Sequence, residues 1–350
     1  FSFYILFVYG TMPGFGLSCL AMERLVRYVE EGRGRDFWIG AAAVAAAVIL
    51  KSNYEIVLVA LFLYLASSGV FRRKARLLVA AVLLITVYVI GNRGIQTGIS
   101  SVTGRTVSDG APMIAWVQMG LEESKRGPGW YNGYQVKLFQ KADGDADLAA
   151  AWAQADLRKT ISDMAEEPAK AADFFVRKIE SIWAEPTFQS LWIQEVGNTS
   201  WAEGSPPWEL FKEEGGLNRL YVFAANLVQT FVYAMACVWV IAGMSAKGSR
   251  SKHVLMKRTW EKRIEAEKTV KAVKKQGMET VWERQERGET DRWGMLLPGI
   301  VFIGGFLFHL VWEAKGQYSV VYFMLLLPYA YLGMERVADV FLDVTGAGKE

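Results

Sequence analysis

The chain has 350 residues, of which 52% are hydrophobic and 21% are charged, and its formal net charge is +3. Its two cysteines, Cys19 and Cys237, lie in apolar runs, so the sequence predicts neither a disulfide framework nor a cluster of metal-binding cysteines. His253 and His309 are the only histidines, which argues against a His-ligated metal centre. We therefore predict no metal site built from these residue types.

The apolar residues are clumped into runs, several of which are long enough to span a bilayer. A transmembrane helix needs about 20 mostly apolar residues, within a range of roughly 17 to 25. We predict an all-α polytopic membrane protein with about seven transmembrane helices. The seven hydrophobic segments are 1–22, 37–50, 54–68, 77–91, 218–244, 294–311 and 318–334.

The distribution of charge predicts the orientation of these segments, because Lys and Arg concentrate in cytoplasmic connections. The short connections 23–36 and 71–76 are rich in basic residues. Residues 246–292 hold 14 Lys and Arg against 8 Asp and Glu, whereas residues 93–217 hold 12 against 18. We expect a multi-pass protein of the bacterial plasma membrane, with the acidic region outside and the C-terminus in the cytoplasm.

Three domains follow from this topology. Residues 1–92 form transmembrane helices 1–4 with an outer hairpin at KSN, and residues 93–217 form a mostly helical extracytoplasmic domain, since apolar residues recur there at helical spacing. Residues 218–350 form helices 5–7 with a basic, helical cytoplasmic insert at 246–292. The insert has the composition of a solvated or membrane-surface helix and carries no nucleic-acid motif, so no nucleic-acid partner is predicted.

The first candidate polar site is KSN, which follows a short apolar segment. Residues 37–50 would rise only about 21 Å as a helix, less than the roughly 30 Å hydrocarbon core. Lys51 would therefore lie in the outer leaflet beside Asn53 and Glu55, and ionisable groups at that depth tend to mark sites. A cation near amide donors suits a lipid-borne phosphate. Alternatively, Lys51 is an interfacial anchor with Glu55 as its partner.

The second candidate site is WEAKGQY, between the last two apolar segments. Glu313, Lys315 and Gln317 lie there between Trp312 and Tyr318. Acid, base and amide within five residues could position a sugar hydroxyl and a phosphate together, although a plain glycine-containing turn between two spans would also explain the link.

The third candidate is the stretch 112–135, in which GPGWYNGY combines turn residues with aromatic rings. Such rings could stack on the apolar faces of a sugar. Alternatively, they pack the helices of the extracytoplasmic domain.

Short motifs in this order resemble a known family. WEAKGQYSVVYFMLLLPYAYLG resembles the last characteristic stretch of bacterial membrane glycosyltransferases of the GT-C superfamily, of the family-39 type, which is related to protein O-mannosyltransferases and lipid A aminoarabinose transferases. YGTMPGFGLSCLAMERLVRY, followed by a short span, KSN and another span, is similar to that family's middle helices. PMIAWVQMGL with GPGWYNGY is similar to an outer-loop stretch of its Gram-positive-type members.

The resemblance implies an inverting glycosyltransferase. Its donor would be a sugar on a polyprenyl phosphate among the membrane lipids, and its acceptor a cell-wall glycan, a lipid or a protein outside the membrane. The matching positions are Lys51 and Asn53 on the donor-phosphate side, and Glu313, Lys315, Gln317 and Tyr318 near the sugar.

The family uses a carboxylate of its first outer loop as general base or to help hold a divalent cation, and that loop would lie before Phe1. We therefore expect the chain by itself to be inactive, and no cofactor is certain. The insert 246–292 departs from the family's pattern.

The main alternative is a non-enzymatic flippase or exporter of lipid-linked glycans, which should carry charges in mid-span. The central parts of the seven segments have none, which favours the enzyme over this alternative. A structural or sensory membrane protein is a further alternative.

Overall fold

In the computed structural model, the described residues are 10–105, 110–197, 201–245 and 292–345, so nearly all of the predicted insert 246–292 lies outside them. The described elements are helical apart from one two-stranded hairpin. They are α1 (Thr11–Glu31), α2 (Gly34–Leu50), the 3₁₀ turn Ser52–Tyr54, α3 (Glu55–Phe71), α4 (Ala75–Thr103), α5 (Met113–Gly120), β1 (Glu123–Ser124), β2 (Gly127–Pro128), α6 (Tyr134–Lys141), α7 (Ala146–Glu166), α8 (Pro168–Trp183), α9 (Ser190–Gly197), α10 (Pro206–Phe211), α11 (Gly216–Ser245), α12 (Arg292–Val311), α13 (Gly316–Met324) and α14 (Leu327–Thr345).

Several helices are long and apolar enough to cross a membrane. Four stretches meet this test, Ser52–Phe71, Ala75–Thr103, Pro206–Gly243 and Gly294–Val311, and α13 with most of α14 makes a fifth if the pair counts as one broken span. Large apolar side chains on these helices face outward, as Val82 does with 62% of its surface exposed. A large exposed apolar surface of this kind is what lipid contact requires. The helical membrane class is thus supported, with four or five candidate spans.

The prediction of seven spans is not confirmed at the first two segments, and residues 1–9 of the first segment lie outside the described residues. Helix α1 begins at Thr11 and continues through most of the predicted basic connection 23–36, ending at Glu31. The reason is that Met22, Leu25 and Val29 extend its apolar stripe and are buried, so the charged side chains occupy only the other faces. Helix α2 has 17 residues and falls just short of the length tested for a span.

Small residues allow the helices around the later site to approach closely. A Cβ added to Gly40 of α2 would lie 2.8 Å from Leu25 Cγ of α1, and one added to Gly305 of α12 would lie 2.5 Å from the Tyr322 ring of α13. Ala41 and Ala47 of α2 are fully buried. Close helix contact through Gly and Ala is the usual packing mode in membranes.

Between α4 and α11, the chain forms a helical inter-span region, which we define as residues 110–197. Helix α7 begins at an N-cap, Asp145, whose carboxylate accepts from the backbone N–H groups of Asp147 at 2.9 Å and Leu148 at 3.0 Å. Helix α8 begins at Pro168, which suits the first turn because it lacks the N–H that a helix leaves unpaired there. The helices predicted from apolar spacing at 145–167 and 168–185 are present.

The chain divides into two compact units, residues 1–230 with 297–326, and residues 231–296 with 327–350. In the second unit, Trp239 stacks on Tyr329 at 4.7 Å between ring centroids, and the Tyr329 hydroxyl donates to the Met295 carbonyl at 2.6 Å. All the residues predicted for a site belong to the first unit.

Candidate functional site

Two short polar links have the same sequence pattern and the same backbone turn. Lys51–Tyr54 reads KSNY and Lys315–Tyr318 reads KGQY, so each is lysine, a small residue, an amide and tyrosine. Both lysines are extended, with φ −160° and ψ 119° at Lys51 and φ −163° and ψ 119° at Lys315. In each turn the tyrosine N–H donates to the lysine carbonyl, at 3.1 and 3.0 Å. We call these segments the first and second lysine turns.

The two lysine turns meet at one aromatic ring. Lys51 Nζ lies 4.6 Å from the centroid of the Tyr318 ring, and Lys315 Nζ lies 5.8 Å from it. Lys51 Nζ also donates to Thr11 Oγ1 at 2.8 Å, at the start of α1. A cation over a tyrosine face is attracted by the ring quadrupole. Residues separated by 264 positions are therefore brought into one cluster.

Glu313 supplies a carboxylate to this cluster. It is only 6% exposed, and its Oε2 accepts from the Tyr318 hydroxyl at 3.2 Å. Burial raises the pKa of the Glu313 carboxyl, and the charges of Lys315 and Lys51 oppose that shift. Burial and the charge of Lys315 lower the pKa of Lys51 to about 7, with Glu313 acting in the opposite direction. Burial likewise lowers the pKa of Lys315. The cluster therefore holds ionisable groups that titrate closer to neutrality than usual.

The amides of the two turns share a further property. Asn53 Nδ2 and Gln317 Oε1 are both buried, and neither has a hydrogen-bond partner among the described residues. A buried polar atom without a partner costs free energy, and such atoms are rare in native proteins unless a ligand or water satisfies them. The backbone N–H of Gln317 is satisfied separately, since it donates to Gln189 Oε1 at 3.4 Å.

Glu55 and Trp312 lie beside the cluster with other partners. Glu55 Oε1 accepts from the Tyr88 hydroxyl of α4 at 3.1 Å, so Glu55 has a partner other than Lys51. The Trp312 indole makes stacked contacts with two rings, with centroids 6.1 Å from Trp116 of α5 and 4.9 Å from Phe308 of α12. Trp312 thus joins the inter-span region to the end of a candidate span.

A fully buried lysine that the sequence did not single out holds the second lysine turn in place. Lys178 of α8 is 0% exposed, and its ammonium donates to the carbonyls of Gly120, Leu310 (3.0 Å) and Trp312 (2.8 Å). Burial lowers the pKa of Lys178 to about 7, while the carbonyls of Leu310 and Trp312 at the C-terminal end of α12 and of Gly120 at the end of α5 favour the charged form. The sequence did contain a signal for its burial, because Lys178 lies four residues after Phe174 and four before Ile182, on the buried stripe of α8.

The predicted stretch 112–135 also contacts the link before the second lysine turn. The backbone N–H of Ala314 donates to the Gly129 carbonyl at 2.8 Å, so the GPGW turn is hydrogen-bonded to the link. Gly129 has a φ of +72°, a conformation that suits glycine, and an added Cβ would lie 2.6 Å from the Gly120 carbonyl oxygen. Trp130 packs on the core and donates to Ser181 Oγ at 3.3 Å, which favours the packing alternative for that ring.

Arg126 is a second residue that the sequence did not single out. It is exposed, its guanidinium lies 5.2 Å from the centroid of the Trp192 ring, and its charge contributes to lowering the pKa of Lys315. No pattern in the sequence connects it with the lysine turns, because the contact depends on how residues 110–197 fold.

The residues of the cluster do not fit a divalent cation. Among the described residues, no group of three His, Cys, Asp or Glu side chains is arranged to hold a metal ion. Next to two lysines, the single carboxylate of Glu313 is a poor donor set for a hard cation, which requires several oxygen ligands. The cation expected from the resemblance therefore has no support at this cluster.

No protein-family model, no curated protein and no solved structure matches this chain. The resemblance to GT-C glycosyltransferases consequently stays a prediction.

Proposed function

We propose that the two lysine turns bind the phosphate of a membrane lipid, and that the protein transfers a sugar from a polyprenyl-phosphate donor to an extracytoplasmic glycan, lipid or protein. The observation that carries this proposal is the convergence of Lys51 and Lys315 on the Tyr318 ring. Two ammonium groups held this close repel each other, and the repulsion contributes to lowering the pKa of Lys51. A bound anion would relieve it.

The charge of the cluster favours an anionic ligand. Lys51 and Lys315 face the single carboxylate of Glu313, and Arg126 adds a further positive charge nearby. A phosphate accepts charge-assisted hydrogen bonds from ammonium groups, which are about twice as strong as neutral ones. Lysine is well suited to this because its ammonium acts as a compact point charge on a flexible stem.

The position of the turns along the chain favours a lipid as the carrier of that anion. The first lysine turn directly precedes α3, and the second follows a candidate span that ends at Val311. Because both turns lie at ends of candidate spans and contact each other, they share one depth, near the membrane boundary. Lysines at this depth extend toward the headgroups, where the phosphate of a polyprenyl lipid resides.

Sugar transfer is favoured over transport by the placement of charges. A flippase needs polar groups along its path, and intramembrane ionisable residues usually mark such paths. The central parts of the seven apolar segments contain no Asp, Glu, Lys or Arg. The charged groups lie at the ends of the segments, as expected for chemistry at a surface. The basic short connections support placing this surface outside, opposite to them.

The test uses the full-length protein in lipid nanodiscs. We expect it to bind polyprenyl phosphate and to release radiolabelled sugar from a panel of polyprenyl-phosphate hexoses when membrane extract supplies acceptors. The double variant Lys51→Ala/Lys315→Ala should lose at least about tenfold in polyprenyl-phosphate affinity, because each lost charge-assisted contact is worth about 1.5 to 3 kcal/mol. The matched control is Lys159→Ala, which removes an exposed lysine of α7.

The outcomes separate the alternatives. Equal affinity in the double variant and the wild type would remove the lysine turns from phosphate binding. Transbilayer movement of a fluorescent polyprenyl-phosphate sugar in vesicles, without transfer to any acceptor, would overturn the transferase in favour of a flippase.

A further inference from the structure

We infer that Glu313 is the general base of the proposed sugar transfer, accepting the proton of the attacking acceptor hydroxyl. This assignment rests on the proposed function. It differs from the expectation that the base lies in the first outer loop, and it gives a chemical role to a carboxylate that a simple turn between two helices would not need.

The geometry of the carboxylate suits this role. Oε2 of Glu313 accepts from the Tyr318 hydroxyl, whereas Oε1 accepts no hydrogen bond from the described part of the chain. One oxygen is therefore fixed and the other is available for a proton. The Tyr318 ring that orients the carboxylate also carries Lys51 on its face, so the base and the proposed phosphate site share one side chain.

Neighbouring carboxylates are occupied by other bonds. Glu185 lies next to the second lysine turn, but its oxygens accept from the backbone and hydroxyl of Thr187 and from the Gln189 N–H. Both oxygens of Glu122 are taken, by the side-chain amides of Gln118 at 2.9 Å and Asn132 at 2.7 Å. Glu313 is the carboxylate whose charge acts on Lys51.

The backbone that carries Glu313 is held on both sides. Before it, Lys178 donates to the Leu310 and Trp312 carbonyls, and directly after it the Ala314 N–H donates to Gly129. Further along, Ser319 Oγ donates to the Ile182 carbonyl at 2.8 Å. A catalytic group must be fixed to within about half an ångström, which requires supporting contacts of this kind. Such support would be excessive for a link whose only task is to reverse the chain.

The environment of Glu313 also suits proton abstraction. Burial raises the pKa of its carboxyl, and a base whose pKa lies nearer to neutrality accepts a proton more readily. The nearby lysine charges oppose this rise and so favour the ionised form, which is the form that can accept a proton. The same lysines would stabilise the phosphate as its negative charge grows.

The proposed step is balanced in atoms and electrons. The acceptor O–H bond breaks and its proton passes to Glu313 Oε1. The freed electron pair forms the new bond from the acceptor oxygen to the anomeric carbon, on the face opposite the leaving group. The bond from that carbon to the phosphate oxygen breaks, and its electron pair departs with polyprenyl phosphate, held by Lys51 and Lys315. The configuration is inverted, and no oxidant or reductant is required.

The test compares Glu313→Gln with Glu313→Asp and the wild type in full-length protein in nanodiscs, with the polyprenyl-phosphate hexose that the wild type turns over. Glu313→Gln keeps the shape and removes the base, so the transfer rate should fall by about 10²- to 10⁴-fold. Its affinity for polyprenyl phosphate should change by less than about threefold, because the lysines remain. Glu313→Asp, a shorter base, should recover part of the rate. The matched control is Glu180→Gln, an exposed carboxylate of α8.

A pH profile provides the readout that a purely structural role would not change. The wild-type rate should decline toward acid pH as Glu313 becomes protonated, and the residual rate of Glu313→Gln should lack that decline. If Glu313→Gln transfers sugar at the wild-type rate, or loses rate and lipid affinity in parallel, the assignment is overturned while the transferase stands. A wild-type protein that transfers no sugar from any donor overturns both.

Discussion

The two lysine turns have almost identical local structures but lie in different surroundings. Their lysines share the same extended conformation, and each tyrosine N–H closes the turn on the lysine carbonyl. The hydroxyl of Tyr54, however, donates to the Thr11 carbonyl, whereas that of Tyr318 donates to the Glu313 carboxylate. A short pattern thus specifies the turn, and its neighbours decide whether the tyrosine serves packing or the candidate site.

The supports of the two turns differ as well. The first lysine turn is held by the amino-terminal helices, through Thr11 and the close contact of Gly14 with the Tyr54 ring. The second is held from the inter-span region by Lys178 and Gln189. We conclude that the inter-span region positions one half of the candidate site, so that damage to this region should affect the second turn and spare the first.

Removing the support of the second turn should have the largest effect. Lys178→Met leaves three buried carbonyls without their charged donor, which should lower the free energy of unfolding by about 3 kcal/mol. The measurement is the midpoint of denaturant unfolding in detergent micelles, followed by tryptophan fluorescence.

The matched control for this prediction is Lys170→Met, also on α8. Lys170 has 78% of its side chain exposed and pairs with Glu167 at the surface, so its loss should cost less than about 1 kcal/mol. Equal losses in the two variants would mean that the Lys178 clamp contributes nothing beyond an ordinary surface pair.

The sequence predicts those features of the structure that depend on local patterns of residues. The helices at 145–167 and 168–185 follow from apolar spacing, and the two polar links around Lys51 and Glu313 can be read directly from the charges between apolar segments. The continuation of α1 to Glu31 was missed because four arginines in the 23–36 segment resemble a loop when the buried stripe is not followed.

Other features require knowledge of which helices meet. In the sequence, Lys178 resembles an ordinary surface lysine, and its role depends on the contact with the end of α12. Arg126 is brought near Lys315 only by the fold of residues 110–197. The contact of both lysines with the Tyr318 ring likewise depends on tertiary structure, because Lys51 and Lys315 belong to turns far apart in the chain.

A change of pH should have an effect of intermediate size on phosphate affinity, through the charge of Lys51. The pKa of Lys51 is lowered to about 7, so the free protein loses this positive charge as pH rises through about 7. Bound phosphate favours the charged form and raises that pKa. Affinity for polyprenyl phosphate should therefore be constant below about pH 7 and fall by up to tenfold per pH unit above it. Binding titrations between pH 6 and 9 measure this.

The control for the pH dependence is Lys51→Arg, whose guanidinium does not titrate in this range. Its affinity should vary much less with pH, even if it is lower at every pH. A wild-type affinity that stays constant from pH 6 to 9 would contradict the assignment of Lys51 as the titrating ligand of the phosphate.

The smallest effects should come from the tyrosines, and they test the comparison most directly. Tyr318→Phe keeps the ring that attracts both lysines and removes only the hydroxyl bound to Glu313, so phosphate affinity should change by less than about threefold. Tyr318→Leu also removes the ring and should weaken binding by about three- to tenfold, corresponding to about 0.5 to 1.5 kcal/mol.

Tyr54→Phe loses a buried hydrogen bond to Thr11, so it should lower stability by about 1 kcal/mol and leave phosphate affinity unchanged. If Tyr54→Phe weakens phosphate binding as much as Tyr318→Leu, the first turn also uses its tyrosine for the ligand, and the distinction between a packing tyrosine and a site tyrosine fails.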